Sequence, residues 1–250
     1  IEADIAKTSP KSSIRPYVTY RRLLSEYTLD LQQATTERRQ ELQVQWLKNL
    51  EAFATTYPTA DDAPDAQLQL AVANEFAGNV TDARKWYDRL IAQHTESNAG
   101  QRAAGAVRRL DLQGKQFVLS GKGLSGRTVS AADYRGKVLL VLYWSTWCKP
   151  CTEDLPQIRA LYAQYQDLGF EILGVNLDAT VDPVAPYMKQ HRVTWQQIRE
   201  EGGLEGKPAK AYGVISLPTM MLVGRDGKAI KNSVSVAELK QSLPDWLKGK

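Results

Sequence analysis

The sequence predicts a two-domain protein in which an α-helical domain precedes an α/β domain. Three observations support this division. The chain has 250 residues, which is long for one ordinary domain and sufficient for two. Apolar residues recur at helical spacing through the first part of the chain, whereas strand and helix patterns alternate after Gly114. We therefore assign residues 1–113 to the helical domain and residues 114–250 to the α/β domain.

The first domain has the residue spacing of amphipathic helices. Leu42, Trp46, Leu50 and Phe53 fall on one face of a predicted helix. The stretch from residue 66 to residue 94 resembles a single tetratricopeptide-type helical hairpin. A small helical bundle is the simpler interpretation, and the alternative is a repeat domain that binds a protein partner.

The second domain alternates predicted strands and helices. The segments "KVLLVLYW" and "FEILGVNLD" are continuous apolar runs, as expected for strands buried on both faces, and a helical segment separates them. A short hairpin is predicted in front of them, with its first strand in "QFVLSG". The turn Asp226-Gly227 predicts an antiparallel hairpin near the end of the chain. Together these elements predict a central mixed sheet flanked by helices.

Charge and hydropathy exclude two classes of protein. The 32 basic and 28 acidic residues are interspersed and give a net charge of +4, without the clustered basic face of a nucleic-acid-binding protein. The longest apolar run, from Val138 to Trp144, is much shorter than the roughly 20 residues of a membrane-spanning helix. We therefore expect neither nucleic-acid binding nor a membrane span in this chain. Because the chain begins with Ile1 rather than Met, the sequence leaves open whether a signal peptide or anchor was removed upstream.

The only two cysteines in the chain, Cys148 and Cys151, are separated by two residues. A structural zinc site needs four ligands, and the two histidines, His94 and His191, are distant from the cysteines in sequence. A purely structural disulfide would close a very short loop and would constrain the unfolded chain only slightly. The pattern therefore favours a redox-active pair, which requires no metal and no bound cofactor.

The position of each cysteine predicts its role. Cys148 follows a buried strand and precedes a helix, where free N–H groups and the helix dipole stabilise a thiolate. We expect Cys148 to be the exposed nucleophile and Cys151 to be the less exposed resolving cysteine. Between them, Lys149 adds a cation that favours ionisation, and Pro150 fits the first helical turn.

The site motifs resemble those of the thioredoxin superfamily. They are "YWSTWCKPC", a helical proline five residues after the second cysteine, and a later "ISLPT" before a strand. The resemblance covers about residues 116–250 and implies a thioredoxin-like fold. It implies a cis peptide bond between Leu217 and Pro218 close to the two cysteines, with substrate polypeptide pairing along the backbone before the proline. We expect Trp147 to line the same substrate surface.

The lead-in from Leu119 to Pro156 is similar to the bacterial extracytoplasmic thiol-disulfide reductases of the TlpA/ResA-like group. Members of that group work outside the cytoplasm, tethered or periplasmic. The resemblance implies a thiol-disulfide oxidoreductase that acts on protein thiols and disulfides, more as a reductant than as an oxidant. It also implies an upstream redox partner and a bacterial periplasmic location.

Two positions bear on how the second thiol loses its proton. Thioredoxin has a buried aspartate six residues before its first cysteine, and this chain has Leu142 there. Asp154 is three residues after Cys151, on the same helix face, where the extracytoplasmic group usually has a glutamate. We expect desolvation to raise the pKa of Asp154 so that it accepts the Cys151 proton, with Glu153 as a substitute. The alternative is that Asp154 only complements the helix dipole.

Two further function classes stay open at this point. In one, the helical domain recognises a partner and the thioredoxin-like domain is mainly a scaffold. In the other, the chain is a thioredoxin-fold peroxidase, although the usual peroxidase setting lacks a paired second cysteine. Reduction of insulin disulfides and consumption of hydrogen peroxide would separate these classes from the oxidoreductase.

Overall fold

The structure is a computed structural model that describes residues 12–248. Contacts within the chain divide it into two compact units, one ending at Ala104 and the other beginning at Gly105. This border falls inside one continuous helix, Asn98–Leu110. The domain boundary expected after residue 113 stays a prediction.

The first unit is helical, as the sequence predicted, and the first four described helices pack against each other in consecutive pairs. Its described helices are α1 Ile14–Gln33, α2 Thr36–Thr56, α3 Ala63–Phe76, α4 Val80–His94 and the start of α5 Asn98–Leu110. Whether they form a tetratricopeptide-type repeat stays a prediction. No helix within residues 12–248 is both long enough and apolar enough to cross a membrane.

Aromatic side chains fill the core of the first unit. Trp46, Leu50 and Phe53 of α2 are buried, as their helical spacing predicted. The ring of Tyr27 stacks on Trp46 with centroids 4.7 Å apart, and Tyr20 lies 5.1 Å from Phe53. These ring contacts join α1 to α2 and supply much of the apolar burial in this unit.

The second unit contains the strands and the remaining described helices. Its strands are β1 Ser120–Lys122, β2 Thr128–Ser130, β3 Val138–Trp144, β4 Phe170–Asn176, β5 Gln197–Arg199, β6 Thr219–Val223 and β7 Ala229–Lys231. Its helices are α6 Lys149–Tyr165, α7 Val184–Gln190, α8 Lys207–Ala211 and α9 Val236–Leu247. Short 3-10 helices cover Ala131–Tyr134, Gln166–Leu168 and Gly203–Glu205.

A five-stranded mixed sheet organises this unit. Its strand order is β5-β4-β3-β6-β7, and β1 pairs with β2 in a separate hairpin. The strands β3, β4 and β5 are parallel, whereas β6 runs antiparallel to β3 and β7 antiparallel to β6. Gly227 adopts a φ of 73°, a left-handed conformation that glycine adopts readily and that this turn requires. The predicted mixed sheet with flanking helices is confirmed.

Strand β3 lies at the centre of the sheet, and every one of its side chains is buried. Alternate residues enter two apolar clusters: Leu140 and Leu142 join one with α6, and Leu139 and Val141 join the other. This continuous apolar pattern is the one that parallel strands covered on both faces require. The loop that carries the first cysteine leaves the sheet at the carboxyl end of β3.

Candidate active site

The two cysteines lie at the start of α6 and form a disulfide bond, with their Cα atoms 5.2 Å apart. Cys148 is the N-cap of the helix, and its sulfur accepts a hydrogen bond from the Cys151 N–H at 3.1 Å. Pro150 lies in the first turn, where the missing N–H leaves no hydrogen bond unmade. The strand-to-helix connection therefore places Cys148 at the positive end of a helix dipole.

Cys148 is more buried than the sequence indicated. We expected an exposed nucleophile and a less exposed resolving cysteine, but Cys148 is 4% exposed and Cys151 is 3% exposed. The prediction of an exposed Cys148 is wrong for this disulfide form. The disulfide holds the Cys148 sulfur against Cys151, and both residues belong to the apolar cluster that includes Leu155 of α6. Exposure in the oxidised state therefore does not separate the two roles.

The charged neighbours on α6 are largely in solvent. The Lys149 ammonium lies 3.8 Å from the Glu153 carboxylate, and their side chains are 87% and 63% exposed. Solvent screens such a pair strongly, so its contribution to stability is small. The Lys149 ammonium is consequently well hydrated and partly neutralised by Glu153.

Asp154 follows Cys151 by one helical turn and is partly buried. Loss of solvation raises the pKa of its carboxyl above the ordinary value, and the negative charge of Glu153 raises it further. Leu142 occupies the position of the thioredoxin aspartate, and its apolar side chain is 2% exposed. Of the two positions considered for proton transfer, Asp154 is therefore the one that carries an ionisable group.

The segment before β6 reaches the same edge of the sheet as the cysteines. The Leu217–Pro218 peptide bond is cis. Thr219, the next residue, pairs with Tyr143 near the carboxyl end of β3, so the proline lies beside the end of that strand. Trp147, in the loop before α6, is 61% exposed. The antiparallel pairing of β6 with β3 thus brings distant parts of the sequence to one edge.

The structure adds one acidic residue that sequence reasoning missed, Asp178. This residue is 2% exposed and follows the carboxyl end of β4. Its carboxylate accepts hydrogen bonds from the Thr146 N–H at 3.0 and 3.2 Å and from the Thr146 hydroxyl at 2.7 Å. The Asn176 amide donates a further bond at 2.6 Å. An acid two residues after a buried parallel strand was the available sequence signal, because functional groups gather at that edge of α/β sheets.

A second contact fixes the first turn of α6. The Thr152 hydroxyl lies 2.6 Å from the Tyr187 hydroxyl of α7 and donates to the Cys148 carbonyl at 3.3 Å. Tyr187 in turn packs its ring against Trp144, with centroids 5.3 Å apart. The helix start that carries both cysteines is therefore held from α7 as well as from β3.

No metal-binding site is formed by the residues that the structure describes. Within residues 12–248, no group of three or more histidine, cysteine, aspartate or glutamate residues is arranged to hold a metal ion.

Comparison with known proteins places this geometry in a family. Residues 111–231 match the AhpC/TSA family. The thiol-disulfide oxidoreductase ResA of Bacillus thuringiensis subsp. konkukian is 34% identical over 125 residues, which are 50% of this chain and 70% of that protein. The chain belongs to the ResA family of thiol-disulfide oxidoreductases. ResA of Geobacillus thermodenitrificans is 35% identical over 130 residues, 51% of this chain and 72% of the relative.

A solved structure supports the fold of this ResA-family chain. It is the C-terminal domain of a Bacteroides thetaiotaomicron protein, with a TM-score of 0.50 and 22% sequence identity, covering 54% of this chain and 95% of that domain. At this identity the likeness concerns the fold alone. The thioredoxin-like fold and the oxidoreductase class that the sequence predicted are both confirmed.

Proposed function

We propose that this ResA-family protein reduces disulfide bonds in other proteins through Cys148 and Cys151. One observation carries the proposal: the two cysteines form a disulfide at the N-terminus of α6. The Cys148 sulfur accepts a hydrogen bond from the Cys151 N–H. In the reduced protein the same N–H group and the helix dipole would stabilise a Cys148 thiolate. The helix start is therefore suited to both states of a redox cycle.

The reaction proceeds in two exchanges that balance in sulfur and electrons. The Cys148 thiolate attacks one sulfur of a substrate disulfide, forms a mixed disulfide and releases a substrate thiolate. The Cys151 thiolate then attacks the Cys148 sulfur, which closes the Cys148–Cys151 disulfide and releases the second substrate thiolate. Two electrons move from the protein to the substrate. An upstream dithiol partner restores the reduced form, and no bound cofactor takes part.

The second exchange requires Cys151 to lose its proton. Asp154 is assigned as the acceptor because it lies one turn along α6, is partly buried and has a raised pKa. Glu153 is a weaker candidate because its side chain is 63% exposed and pairs with Lys149. The proton would then pass from the partly buried Asp154 carboxyl to solvent.

The substrate is proposed to lie along the edge formed by Trp147, Leu217 and Pro218. Trp147 offers an exposed aromatic surface next to the reactive sulfur, a type of side chain that is common at the centre of protein interfaces. The backbone before Pro218 would pair with an extended substrate segment, which selects for strand shape rather than for one sequence.

The likeness to the TlpA/ResA-like reductases supports the direction of exchange and the setting that we propose. We assign the protein a reducing role outside the cytoplasm, in the periplasm. The presence of only two cysteines, both in the motif, suits an oxidising compartment in which a third thiol could form a wrong disulfide. A protein partner is proposed for the helical unit.

Insulin reduction and trapping of the intermediate test this function together. With dithiothreitol as electron donor, the protein should accelerate the reduction of insulin disulfides. Cys151→Ser should accumulate a mixed disulfide with protein substrates, and Cys148→Ser, the matched control, should form none. Absence of both acceleration and trapping would remove the oxidoreductase mechanism in favour of a binding protein. Thiol-dependent consumption of hydrogen peroxide that is faster than insulin reduction would favour a peroxidase instead.

A further inference from the structure

We propose that Asp178 is a positioning residue for the dithiol: its buried carboxylate fixes the loop before Cys148 and makes the dithiol a stronger reductant. This proposal rests on the function proposed above. It assigns a specific residue to the redox direction, which the sequence motif around the cysteines leaves unexplained.

The first part of the case is geometric. The loop between β3 and α6 has four residues, from Ser145 to Cys148, and Cys148 is the N-cap of α6. Asp178 holds the second residue of this loop, Thr146, at both its backbone N–H and its hydroxyl. It is itself held by the amide of Asn176, the last residue of β4. Asn176 and Asp178, at the end of β4, therefore fix the segment that determines where the Cys148 sulfur lies.

The second part concerns charge. The polar contacts recorded for the Asp178 carboxylate come from N–H and O–H groups, the pattern expected for an ionised carboxylate. Among the described residues, no ion pair joins a lysine, arginine or histidine to this carboxylate, although the Arg199 guanidinium donates a hydrogen bond to the carbonyl of the next residue, Ala179, at 3.2 Å. Because the side chain is 2% exposed, water screens its charge poorly. Lys149, the nearest cation in sequence to Cys148, is by contrast 87% exposed.

The effect on the redox equilibrium follows from the charges of its two states. The disulfide is neutral, whereas the reduced site carries a negative charge on the Cys148 thiolate. Thr146 and Cys148 are two residues apart, so their Cα atoms lie within about 8 Å of each other. The Asp178 carboxylate that bonds to Thr146 is therefore close to Cys148, and a buried anion close to a thiolate disfavours it and shifts the equilibrium toward the disulfide. The dithiol therefore gives up its electrons more readily.

Substitution at this position separates charge from shape. Asp178→Asn removes the charge and keeps the size, and Asp178→Ser is a second neutral variant in case the asparagine amide disturbs the donors around it. Asp182→Asn, the matched control, removes an exposed acid four residues further along the chain. Thr146→Val keeps the buried charge and removes only the hydroxyl contact. Circular dichroism and thermal unfolding verify that each variant is folded.

The readout is the equilibrium of the dithiol with glutathione, measured on the full chain. We expect Asp178→Asn and Asp178→Ser to make the dithiol less reducing. The equilibrium constant for exchange with glutathione should change by about tenfold, which corresponds to about 30 mV. The thiolate absorbance of reduced Cys148 should also appear at lower pH in both variants than in the unaltered protein. Asp182→Asn should stay within about twofold and Thr146→Val within about threefold of the unaltered constant.

Three outcomes distinguish the possible failures. A change below twofold in every folded Asp178 variant would overturn the proposal. A change in Thr146→Val as large as that in Asp178→Asn would overturn the charge effect and leave only loop geometry. If the unaltered protein neither exchanges with glutathione nor reduces insulin, the proposed function itself fails, whereas a normal unaltered protein with unresponsive Asp178 variants refutes only the role of Asp178.

Discussion

At the scale of single residues, the site contrasts hydrated charges with buried ones. Lys149 and Glu153 face solvent and form a loose ion pair, whereas Asp178 is almost completely buried and Asp154 is partly buried. Charges in water are strongly screened, whereas charges with restricted solvent access are screened less. We therefore expect neutralising substitutions at the buried acids to matter more than those at Lys149 or Glu153.

Trp147 provides the first test at this scale. Because its ring is 61% exposed, Trp147→Ala should leave the fold intact. We expect the kcat/KM for reduction of insulin to fall by about 3- to 30-fold, which is the loss typical of removing an aromatic contact from a protein interface. Exchange with glutathione should change by less than twofold, since so small a substrate makes little contact with the ring. Equal losses with insulin and glutathione would argue against a substrate-binding role.

Asp154→Asn tests proton transfer from Cys151. We expect the second exchange to slow by about 100-fold, the lower range for loss of a general base, so that the mixed disulfide accumulates. In the unaltered protein this step should speed up as the pH rises through the pKa of Asp154, because only the ionised carboxyl accepts a proton. Since that pKa is raised, the increase should lie above the ordinary range of about 4.

The control for this experiment is Glu153→Gln, which removes the neighbouring exposed acid. It should resolve the mixed disulfide at nearly the normal rate, with the pH rise moved to lower pH because Glu153 contributes to the raised pKa of Asp154. Stopped-flow measurement of substrate thiol release gives the rate. Resolution at the normal rate in Asp154→Asn, with the pH rise retained, would leave Asp154 as a simple helix-start acid.

The residues of the site differ in how far the sequence reveals them. Cys148, Cys151 and Pro218 belong to local motifs, so sequence alone singles them out. Asp178 hydrogen-bonds to Thr146, 32 residues earlier; its place after a buried strand is visible in the sequence, whereas that contact is not. The burial of Cys148 was also missed, because exposure depends on how the disulfide and the cluster beneath α6 close around the sulfur.

At the scale of elements, β3 and its two neighbours determine where the chemistry takes place. Strand β4 brings Asp178 to the carboxyl edge of the sheet, and β6 begins beside the end of β3 and brings Pro218 to the same edge. Hydrophobic pattern predicts such buried strands well, because continuous burial on both faces leaves a continuous apolar run.

Leu142→Asp tests the account of the central strand. Leu142 is 2% exposed and lies between Gly174 of β4 and Met220 of β6. Placing the thioredoxin aspartate there should lower the free energy of unfolding by about 2–5 kcal/mol, because Leu142 belongs to an apolar cluster and the nearby Gln197 amide oxygen already accepts from Trp144. Leu168→Asp, a matched change at a residue that is 60% exposed, should cost less than about 0.5 kcal/mol. Urea unfolding measures both, and equal costs would contradict the burial described for β3.

Short edge elements were predicted less well than the central strands. The sequence placed a strand in "QFVLSG", but β1 begins only at Ser120. Gln116 instead forms an isolated bridge with Lys228, and the Phe117 N–H donates to the Gly227 carbonyl. Residues before β1 therefore bond to the turn ahead of β7. Hydrogen bonds between residues so far apart in sequence produce no periodic pattern of apolar residues in a short segment.

At the scale of the whole molecule, every residue assigned to the chemistry lies in the unit that begins at Gly105. Leu50→Ala tests this assignment, since Leu50 is fully buried in the core of the first unit. We expect the substitution to lower the stability of that unit by about 2–5 kcal/mol. The rate of insulin reduction, measured where both units are folded, should remain within about twofold of normal. A loss of ten-fold or more would show that the helical unit takes part in the reaction.

The most direct test of the whole account is the reduction potential of Cys148 and Cys151 in the full chain, measured against glutathione buffers. A dithiol that works as a protein reductant should have a potential below about −230 mV, toward the value near −270 mV of thioredoxin. A potential between about −180 and −120 mV, the range of protein oxidants and isomerases, would contradict the reducing role.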